Sequence, residues 1–556
     1  MILDIVASTS HTAVMGPDFD SATLPECLRD DLGHRRIEQG IRRLEHSRPF
    51  LETLGPRPGC GILTGLVAQW VDAGFDRPVL LGRILEKFPK QARSALPLID
   101  YLHIRMAEAL LAMSNEDFET ALRSLLLVQS FEGEVADAEL LAIANFWAGR
   151  CFRRMGRYSE ALTYTERGEA LALSCGYGEM TALTRMTRSW LAFQKGKLQE
   201  ANALLHQAED ALNATSDSLS RGNIQSAYGR IARRQGKYQR ALECFERAIG
   251  EYRACGRGDL QLARTLLNLS FVKRLVALDA QRSLDRVAAS RRLTAGEPGA
   301  ALADAREQRT RIAEFRREAS AHLEEAYETY ARYQNHRGIA GVHINRGFLH
   351  LDSGDLERAA AEAAEAFSHG SQKSDNIIMA RARTLQCIVE NTAIEEQVGD
   401  PAHHREAAEA FARDAVAFAG QTENRRLLAR AYVWQGLTFA AEPGDLDAAR
   451  RCSEQAIALL QPEGLERQYA WDDLEALKSR VLHARPVEAV LRSWSAGVVE
   501  NTSFQQMTEE FARIVIPKVW EREGRKISKV AEKLSISPKK VRRILHSAGV
   551  SEQHHV

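Results

Sequence analysis

The sequence predicts an all-α protein in which an α-solenoid superhelix of stacked helical hairpins is followed by a small C-terminal tri-helical domain. Two observations lead to this prediction. Turn glycines and small alanines recur every 40 residues, and the last fifty residues combine strong positive charge with the punctuation of short helices. The composition agrees, because only 7% of the 556 residues are aromatic and only 15 are proline, which favours long helices over strands.

The predicted hairpins share a glycine at the turn and an alanine five residues later. These pairs recur at a constant interval of 40 residues, as Gly156 with Ala161, Gly196 with Ala201, and Gly236 with Ala241. Glycine adopts the positive φ of a tight turn at little cost, and the small alanine lets the second helix approach the first closely. Apolar residues at i, i+3, i+4 and i+7 complete the pattern of amphipathic helices.

This pattern resembles the tetratricopeptide repeat. The family's small residue in the first helix is matched by Gly149, Gly229 and Gly347. Beyond the pairs above, its turn glycine is matched by Gly354 and Gly444, and its second-helix alanine by Ala359. The period differs, because the family repeats every 34 residues; about six extra residues per unit must enter the helices or loops. The resemblance implies a concave surface, lined by the first helix of each pair, that binds a protein or peptide partner.

The repeats and their interruptions divide the chain into six predicted regions. These are a partly ordered N-terminal arm (1–58), a first repeat block (59–260), a degenerate repeat (261–335), a second repeat block (336–482), connecting helices (483–515) and a helix-turn-helix DNA-binding domain (516–556). The degenerate repeat contains the polar segment TAGEPGA, and it forms either a hairpin with an elongated helix or a hinge. The second block has its own register, in which Gly354, Gly399 and Gly444 lie 45 residues apart.

A partner-binding groove is predicted where cationic residues occupy equivalent places in the first helices. The predicted groove residues are Arg150, Arg153, Trp190, Arg230, Arg233 and Lys273. Because guanidinium groups bind carboxylates through two hydrogen bonds, such a groove suits an acidic peptide, a C-terminal carboxylate or another anionic ligand. The alternative is that these arginines are solvated or paired with glutamates of the second helices, where ion pairs contribute little.

Positive charge is concentrated near the C-terminus of a chain whose formal net charge is zero. Residues 522–546 hold nine lysines and arginines but two acidic residues, so this segment carries +7 and the remainder carries −7. Pro517 is predicted to open a short helix that Gly524 ends. A second helix follows, and Ser537 with Pro538 is expected to cap and open a third, basic helix.

The same segment resembles the Fis-type DNA-binding domain. The residues that carry the resemblance are Gly524, Val530, Ala531, Leu534, Ile536, Ser537, Val541, Leu545 and Gly549. By this resemblance the third helix lies in the major groove of DNA. The predicted DNA-binding residues are Arg525, Lys526, Lys529, Ser537, Lys539, Lys540, Arg542 and Arg543. This sequence departs from the Fis-type pattern at two positions. Ser535 stands where the family usually has a turn glycine, and Pro538 stands where it often has a polar or basic contact residue. These departures bear on which DNA sequence is preferred, more than on DNA binding itself.

Two further readings of the C-terminal region follow from these residues. Fis-type domains act as dimers, so the resemblance implies a homodimer. An upstream helix with Phe504, Met507, Phe511 and Val515 on one face could form the contact, or it could equally pack on the last repeat. The alternative to a DNA-binding domain is that the basic segment is a helical cap on the array, since basic residues are common on exposed helix faces.

The remaining observations exclude other classes of function. Motifs for nucleotide binding, zinc proteases and serine hydrolases are absent from the sequence, so we expect no enzyme and no cofactor. The adjacent His403 and His404 point in different helical directions, and no metal site is expected. Eight scattered cysteines and the lack of an apolar run of eighteen residues indicate free thiols, a cytoplasmic location and no membrane span.

The sequence therefore predicts a cytoplasmic, DNA-binding transcription regulator. In this hypothesis the array binds a protein, peptide or small effector, and the C-terminal domain contacts DNA. The alternative is a protein–protein interaction scaffold without a DNA-binding function.

Overall fold

The computed structural model describes residues 23–75, 78–293, 299–441, 445–460, 469–484 and 503–547. Within these ranges all regular secondary structure is α-helical, and the chain divides into two compact units, Met1–Lys478 and Ser479–Val556. Consecutive helices pack as antiparallel pairs along the first unit. The predicted fold class, a tetratricopeptide-like α-solenoid followed by a small helical unit, is confirmed.

The first unit begins with helices that precede the repeats. They are α1 (Leu24–Gly33), α2 (Ile37–His46), α3 (Arg48–Leu51), α4 (Cys60–Asp72), α5 (Pro78–Glu86) and α6 (Lys90–Arg93). Leu28, Leu44 and Trp70 are fully buried here, and the Trp70 indole donates a hydrogen bond of 3.2 Å to the Leu28 carbonyl. The second half of the predicted arm is thus helical and packed, whereas residues 1–22 lie outside the described residues.

The first repeat block has the predicted turns and close contacts. Its helices are α7 (Leu98–Ser114), α8 (Phe118–Ser130), α9 (Ala138–Met155), α10 (Tyr158–Ser174), α11 (Gly178–Gln194), α12 (Leu198–Leu212), α13 (Ser218–Arg234) and α14 (Tyr238–Cys255). Gly156, Gly196 and Gly236 adopt φ values of 82°, 79° and 72°. The predicted alanines Ala161, Ala201 and Ala241 are all fully buried, as close packing of the paired helices requires.

The degenerate repeat consists of two long helices, α15 (Asp259–Leu293) and α16 (Gly299–Arg332). Leu269 of α15 and Leu323 of α16 are buried in one hydrophobic cluster. That cluster also contains residues of α14 and α17, so the long pair is continuous with its neighbours. This arrangement corresponds to the elongated hairpin; most of the TAGEPGA segment, residues 294–298, lies outside the described residues.

The second repeat block starts most of its helices with an Asp or Asn cap. The helices are α17 (His336–Asp352), α18 (Leu356–Gln372), α19 (Asn376–Glu395), α20 (Pro401–Gly420), α21 (Arg425–Phe439), α22 (Leu446–Leu460) and α23 (Tyr469–Ala484). Side-chain oxygens of Asn335, Asp355, Asp375, Asp400 and Asn424 accept backbone N–H groups of the first turns. Gly354 and Gly399 adopt positive φ as predicted, and Gly444 lies outside the described residues.

The first unit closes on itself where its early and late repeats meet. The Glu423 backbone N–H donates to the Gly156 carbonyl at 2.9 Å, and the Ser159 backbone N–H donates to the Glu423 carboxylate at 2.7 Å. Nearby, the Arg337 guanidinium donates to the Arg154 carbonyl at 2.8 Å. We call these contacts the seam. They join residues up to 267 positions apart in sequence, and two of them, Arg154 and Arg337, also line a central cavity between the two repeat blocks.

The second unit contains three described helices around a small core of its own. They are α24 (Phe504–Arg522), α25 (Ile527–Lys533) and α26 (Pro538–Ser547). Pro517 lies inside α24, so the prediction that it opens a short helix is wrong, and α24 crosses the predicted boundary at residue 516. The physical reason is that Ile516 and Trp520, one turn apart, are buried in the same core. Their packing holds the helix together across the hydrogen bond that proline cannot make.

Candidate ligand cavity and C-terminal basic helix

The central cavity of the first unit has a volume of about 1300 Å³. Its walls come largely from the first helices of the hairpins, α9, α11, α13, α15, α17, α19 and α21. Among the residues that the structure describes, thirteen arginines but only three acidic residues, Asp72, Glu116 and Asp259, line this space. The cavity is therefore strongly cationic, and its positive charge is carried by guanidinium groups.

Five of the six predicted groove residues line this cavity, namely Arg150, Arg153, Trp190, Arg230 and Arg233. The placement of Lys273 in the groove is wrong. Its ammonium group lies 2.5 Å from the Glu318 carboxylate and 3.3 Å from the His322 ring, on the side of α15 that packs against α16. The 40-residue register fails here because α15 starts after a turn with two positive-φ glycines, Gly256 and Gly258, and presents other side chains to the cavity.

Two of the cavity arginines are fixed by carboxylates from preceding turns and helices. The Arg150 guanidinium binds Asp72 at 2.7 Å, and the Trp147 indole donates to the same carboxylate at 3.0 Å. Burial lowers the pKa of Arg150, but the attraction and the hydrogen bonding of Asp72 together outweigh it, so the pKa is raised above its usual value. Arg154 binds Glu116 at 2.8 Å. Neither pair uses a glutamate of a second helix, which was the alternative that the sequence left open for these arginines.

Other cavity arginines are supported by aromatic rings. The Arg153 guanidinium lies 4.8 Å from the Trp190 ring centroid, and the Arg233 guanidinium lies 5.0 Å from that of Phe271. Such stacking holds the planar group in a fixed orientation and leaves its edge available for hydrogen bonds. Arg233 also donates a hydrogen bond of 3.2 Å to the Asn268 side chain.

Three half-buried arginines, Arg153, Arg230 and Arg381, have no carboxylate within ion-pair distance among the described residues. We call them the arginine cluster. Burial first, and then the neighbouring cations Arg264 and Arg233, lower the pKa of Arg230 to about 10. Burial and nearby arginines likewise hold the pKa of Arg153 well below its usual value.

The second repeat block contributes cavity arginines that the sequence did not indicate. Arg381 of α19 has a pKa lowered to about 10, by burial first and then by Arg430, Arg233 and Arg337. Arg337 of α17 binds Asp375 at 2.8 Å, and Asp375 raises the Arg337 pKa although burial opposes this. Because this block has a 45-residue period, alignment with the first block gives no equivalent positions from which to find these residues.

The second unit presents a separate cationic surface on α26. Lys539, Lys540, Arg542 and Arg543 are all exposed, whereas Val541, Ile544 and Leu545 are buried in the small core. The Ser537 hydroxyl accepts the Lys540 backbone N–H at 3.2 Å, which is the predicted cap of this helix. The helix therefore has one apolar face and one basic face.

Three other predicted DNA-binding residues lie in the turn before α25 and in the first turn of that helix. Arg525, Lys526 and Lys529 are exposed, and the Arg525 guanidinium lies 5.6 Å from the Trp520 ring centroid. Ser535, which stands where the Fis-type pattern has glycine, adopts a φ of +52°. The departure in sequence thus preserves the left-handed turn between α25 and α26. Gly549 lies outside the described residues.

Comparisons with known proteins give similarity in fold. No protein-family model matches the sequence, and no curated protein matches it. A structure of a Rap protein complexed with competence and sporulation factor shares 11% identity and covers 72% of this chain and 98% of its own, with a TM-score of 0.50. The apo form of the quorum sensor NprR from B. thuringiensis shares 12% identity over 71% of this chain and 98% of its own, with a TM-score of 0.46.

A structure of a monomeric IFIT1 mutant with Gppp-AAAA is also similar, at 12% identity, covering 84% of this chain and 96% of its own, with a TM-score of 0.43. At such identities the comparisons concern the fold alone. The class that the geometry and the similarity to the Rap protein define is a tetratricopeptide-like α-solenoid. No described helix combines the length and apolar character that crossing a membrane requires.

Proposed function

We propose that this chain is a DNA-binding transcription regulator whose array takes an anionic effector in its central cavity and whose second unit contacts DNA. It acts by binding and not by catalysis. The single observation that carries the proposal is the division of α26 into a buried apolar face and an exposed basic face. A short helix held in this way can enter the major groove of DNA with its cationic side chains directed at phosphates and bases.

The cavity supports the other half of the proposal. It is lined by arginines, some of which have no acidic partner among the described residues, so an anionic ligand would complete it. The similar Rap protein was solved with competence and sporulation factor, which agrees with an array that takes a ligand. In this proposal the occupied cavity alters the DNA affinity of the second unit.

A scaffold without DNA-binding function is the second candidate, and one observation favours it. Phe504 and Phe511 of α24 have exposed fractions of 82% and 52%, which is unusual for large apolar side chains. These rings suit either the homodimer that the Fis-type resemblance implies or a protein partner.

The affinity of the full-length chain for duplex DNA tests the proposal. We expect Lys540→Ala combined with Arg543→Ala to weaken binding by at least tenfold. It should also reduce the dependence of log Kd on log salt concentration by about two, because each lost phosphate contact removes about one from that slope. Fluorescence anisotropy between about 50 and 200 mM salt measures both quantities.

Arg240→Ala is the matched control, because Arg240 is an exposed arginine on the second helix α14 of the array. It should leave DNA affinity unchanged. Equal DNA affinity of the double variant and the wild type, or no DNA binding by the wild type, would instead favour the scaffold.

A further inference from the structure

The charge of the central cavity is not balanced by its own acidic residues. Each of the three lining carboxylates is already engaged: Asp72 by Arg150, Glu116 by Arg154, and Asp259 by the Tyr333 hydroxyl at 2.8 Å. The arginine cluster remains without a carboxylate among the described residues. A ligand with one negative charge would balance only part of the charge of this cluster, so a ligand with several negative charges suits the cavity better.

The cluster converges from different sides of the cavity. Arg153 lies on α9, Arg230 on α13 and Arg381 on α19, three helices that belong to both repeat blocks. These guanidinium groups, or the arginines beside them, are close enough to lower one another's pKa values. Several cations therefore face the same volume, where the negative charge of an anionic ligand would be attracted by all of them.

The arginines of this wall are also oriented in advance. Stacking of Arg153 on Trp190 and of Arg233 on Phe271 limits the conformations of both side chains. Little conformational entropy remains to be lost when an anion binds, which favours affinity. Repulsion among these like charges already lowers the stability of the unliganded protein, as is common for binding sites that trade stability for function.

The geometry of the anion distinguishes phosphoryl groups from carboxylates. A carboxylate offers two oxygens and one charge, and it typically satisfies one guanidinium through two parallel hydrogen bonds. A phosphoryl group offers three acceptor oxygens and between about 1.5 and 2 negative charges, so it can bind several guanidinium groups at once. Converging arginines without acidic partners match the second arrangement.

The cavity is large enough for a ligand of nucleotide size. Its volume of about 1300 Å³ lies above the range of about 300–1000 Å³ that is usual for small-molecule pockets, so such a ligand would share the space with water. Its walls also include apolar and aromatic side chains such as Leu267, Tyr330 and Ile378. These surfaces would pack against an uncharged ring that accompanies the anionic groups.

We propose that the central cavity binds a small molecule carrying several phosphoryl groups, of about the size of a nucleoside triphosphate. The inference rests on the proposed function only in that the cavity takes an effector. It adds the chemical class of that effector. The shared chemistry is a chain of phosphoryl groups, supplied either by a nucleotide or by an inorganic polyphosphate.

Isothermal titration calorimetry of the full-length chain tests this inference with four probes: ATP, inorganic tripolyphosphate, adenosine and the peptide tetraglutamate. We expect ATP or tripolyphosphate, or both, to bind at one site per chain and at least tenfold more tightly than adenosine and tetraglutamate. Tighter binding of ATP than of tripolyphosphate would identify a nucleotide as the source, and the reverse order would identify a polyphosphate.

Variants locate the site. Arg230→Gln combined with Arg381→Gln should weaken binding of the preferred phosphate probe at least tenfold, whereas Arg240→Gln on the exposed face of α14 should not change it. Thermal unfolding of each variant verifies that it is folded. Equal affinity of the double variant and the wild type would overturn the inference, as would tetraglutamate binding as tightly as the phosphate probes, or no binding of any phosphate probe.

DNA affinity measured on the same samples without a probe separates this inference from the proposed function. DNA binding without phosphate binding overturns only the ligand class. Phosphate binding without DNA binding retains the ligand site and overturns the regulator.

Discussion

Two regions of this protein concentrate positive charge, and they do so in different physical environments. The cavity arginines Arg153 and Arg233 are half-buried and stacked on aromatic rings, whereas the cations of α26 are exposed to solvent. Charges in water are screened and repel one another weakly, but charges on a partly buried wall are not. The comparison teaches that only the cavity charges should affect the stability of the fold.

The largest change in the free energy of unfolding is expected when a carboxylate that neutralises a cavity arginine is removed. Asp375 caps α19 and also binds Arg337, so Asp375→Ala removes a cap and leaves a guanidinium without its partner. We expect the free energy of unfolding to fall by about 3 kcal/mol. Urea denaturation followed by circular dichroism measures this change.

Asp355→Ala is the matched control for that prediction. Asp355 caps α18 in the same way, but its ion-pair partner Arg358 is largely exposed. Loss of the cap alone should cost about 1 kcal/mol. Equal effects of the two substitutions would show that the cavity charges carry no special cost, and the comparison above would fail.

A smaller effect of opposite sign is expected when a cation of the cluster is removed. Arg230→Gln relieves repulsion from Arg233 and Arg264, and we expect it to raise the free energy of unfolding by about 0.5–2 kcal/mol. On the exposed surfaces, Arg240→Gln and Lys540→Gln should change it by less than about 0.5 kcal/mol. Denaturation curves of the three variants decide this, and destabilisation by Arg230→Gln would contradict it.

The smallest effect is the pH dependence of that stabilisation. The pKa of Arg230 is about 10 in the folded protein and has a usual value of 12.5, so the unfolded chain retains a proton that the folded chain releases. Stability attributable to this residue therefore rises as pH increases through about 10. The advantage of Arg230→Gln over the wild type should be full at pH 7 and should shrink above pH 9. An advantage that grows with pH would contradict a lowered pKa of Arg230 in the folded protein.

Local features of the sequence predicted the fold well. Glycine at a turn and alanine at a helix contact are dictated by backbone conformation and by the distance between two neighbouring helices, so Gly196 and Ala201 could be placed from their spacing. Pro517 could not, because the continuity of α24 depends on burial of Ile516 and Trp520 in a core that forms only in three dimensions.

The candidate cavity was predictable only where the register of the first block holds. Arg150 and Arg230 occupy equivalent positions and do line the same space, but Lys273 does not, since the turn before α15 shifts the register. Arg381 could not be found, because it reaches the cavity only through closure of the array, and no local pattern encodes contacts between residues that are hundreds of positions apart.

The seam also changes how the array should unfold. An open solenoid behaves as a one-dimensional stack, in which each repeat is stabilised by its neighbours and the ends fray independently. Here Gly156 and Ser159 are tied to Glu423, so fraying of a late hairpin withdraws support from an early one. Native-state hydrogen exchange should therefore report early and late repeats opening together as one cooperative element, with the middle of the sequence no better protected than the two edges that meet.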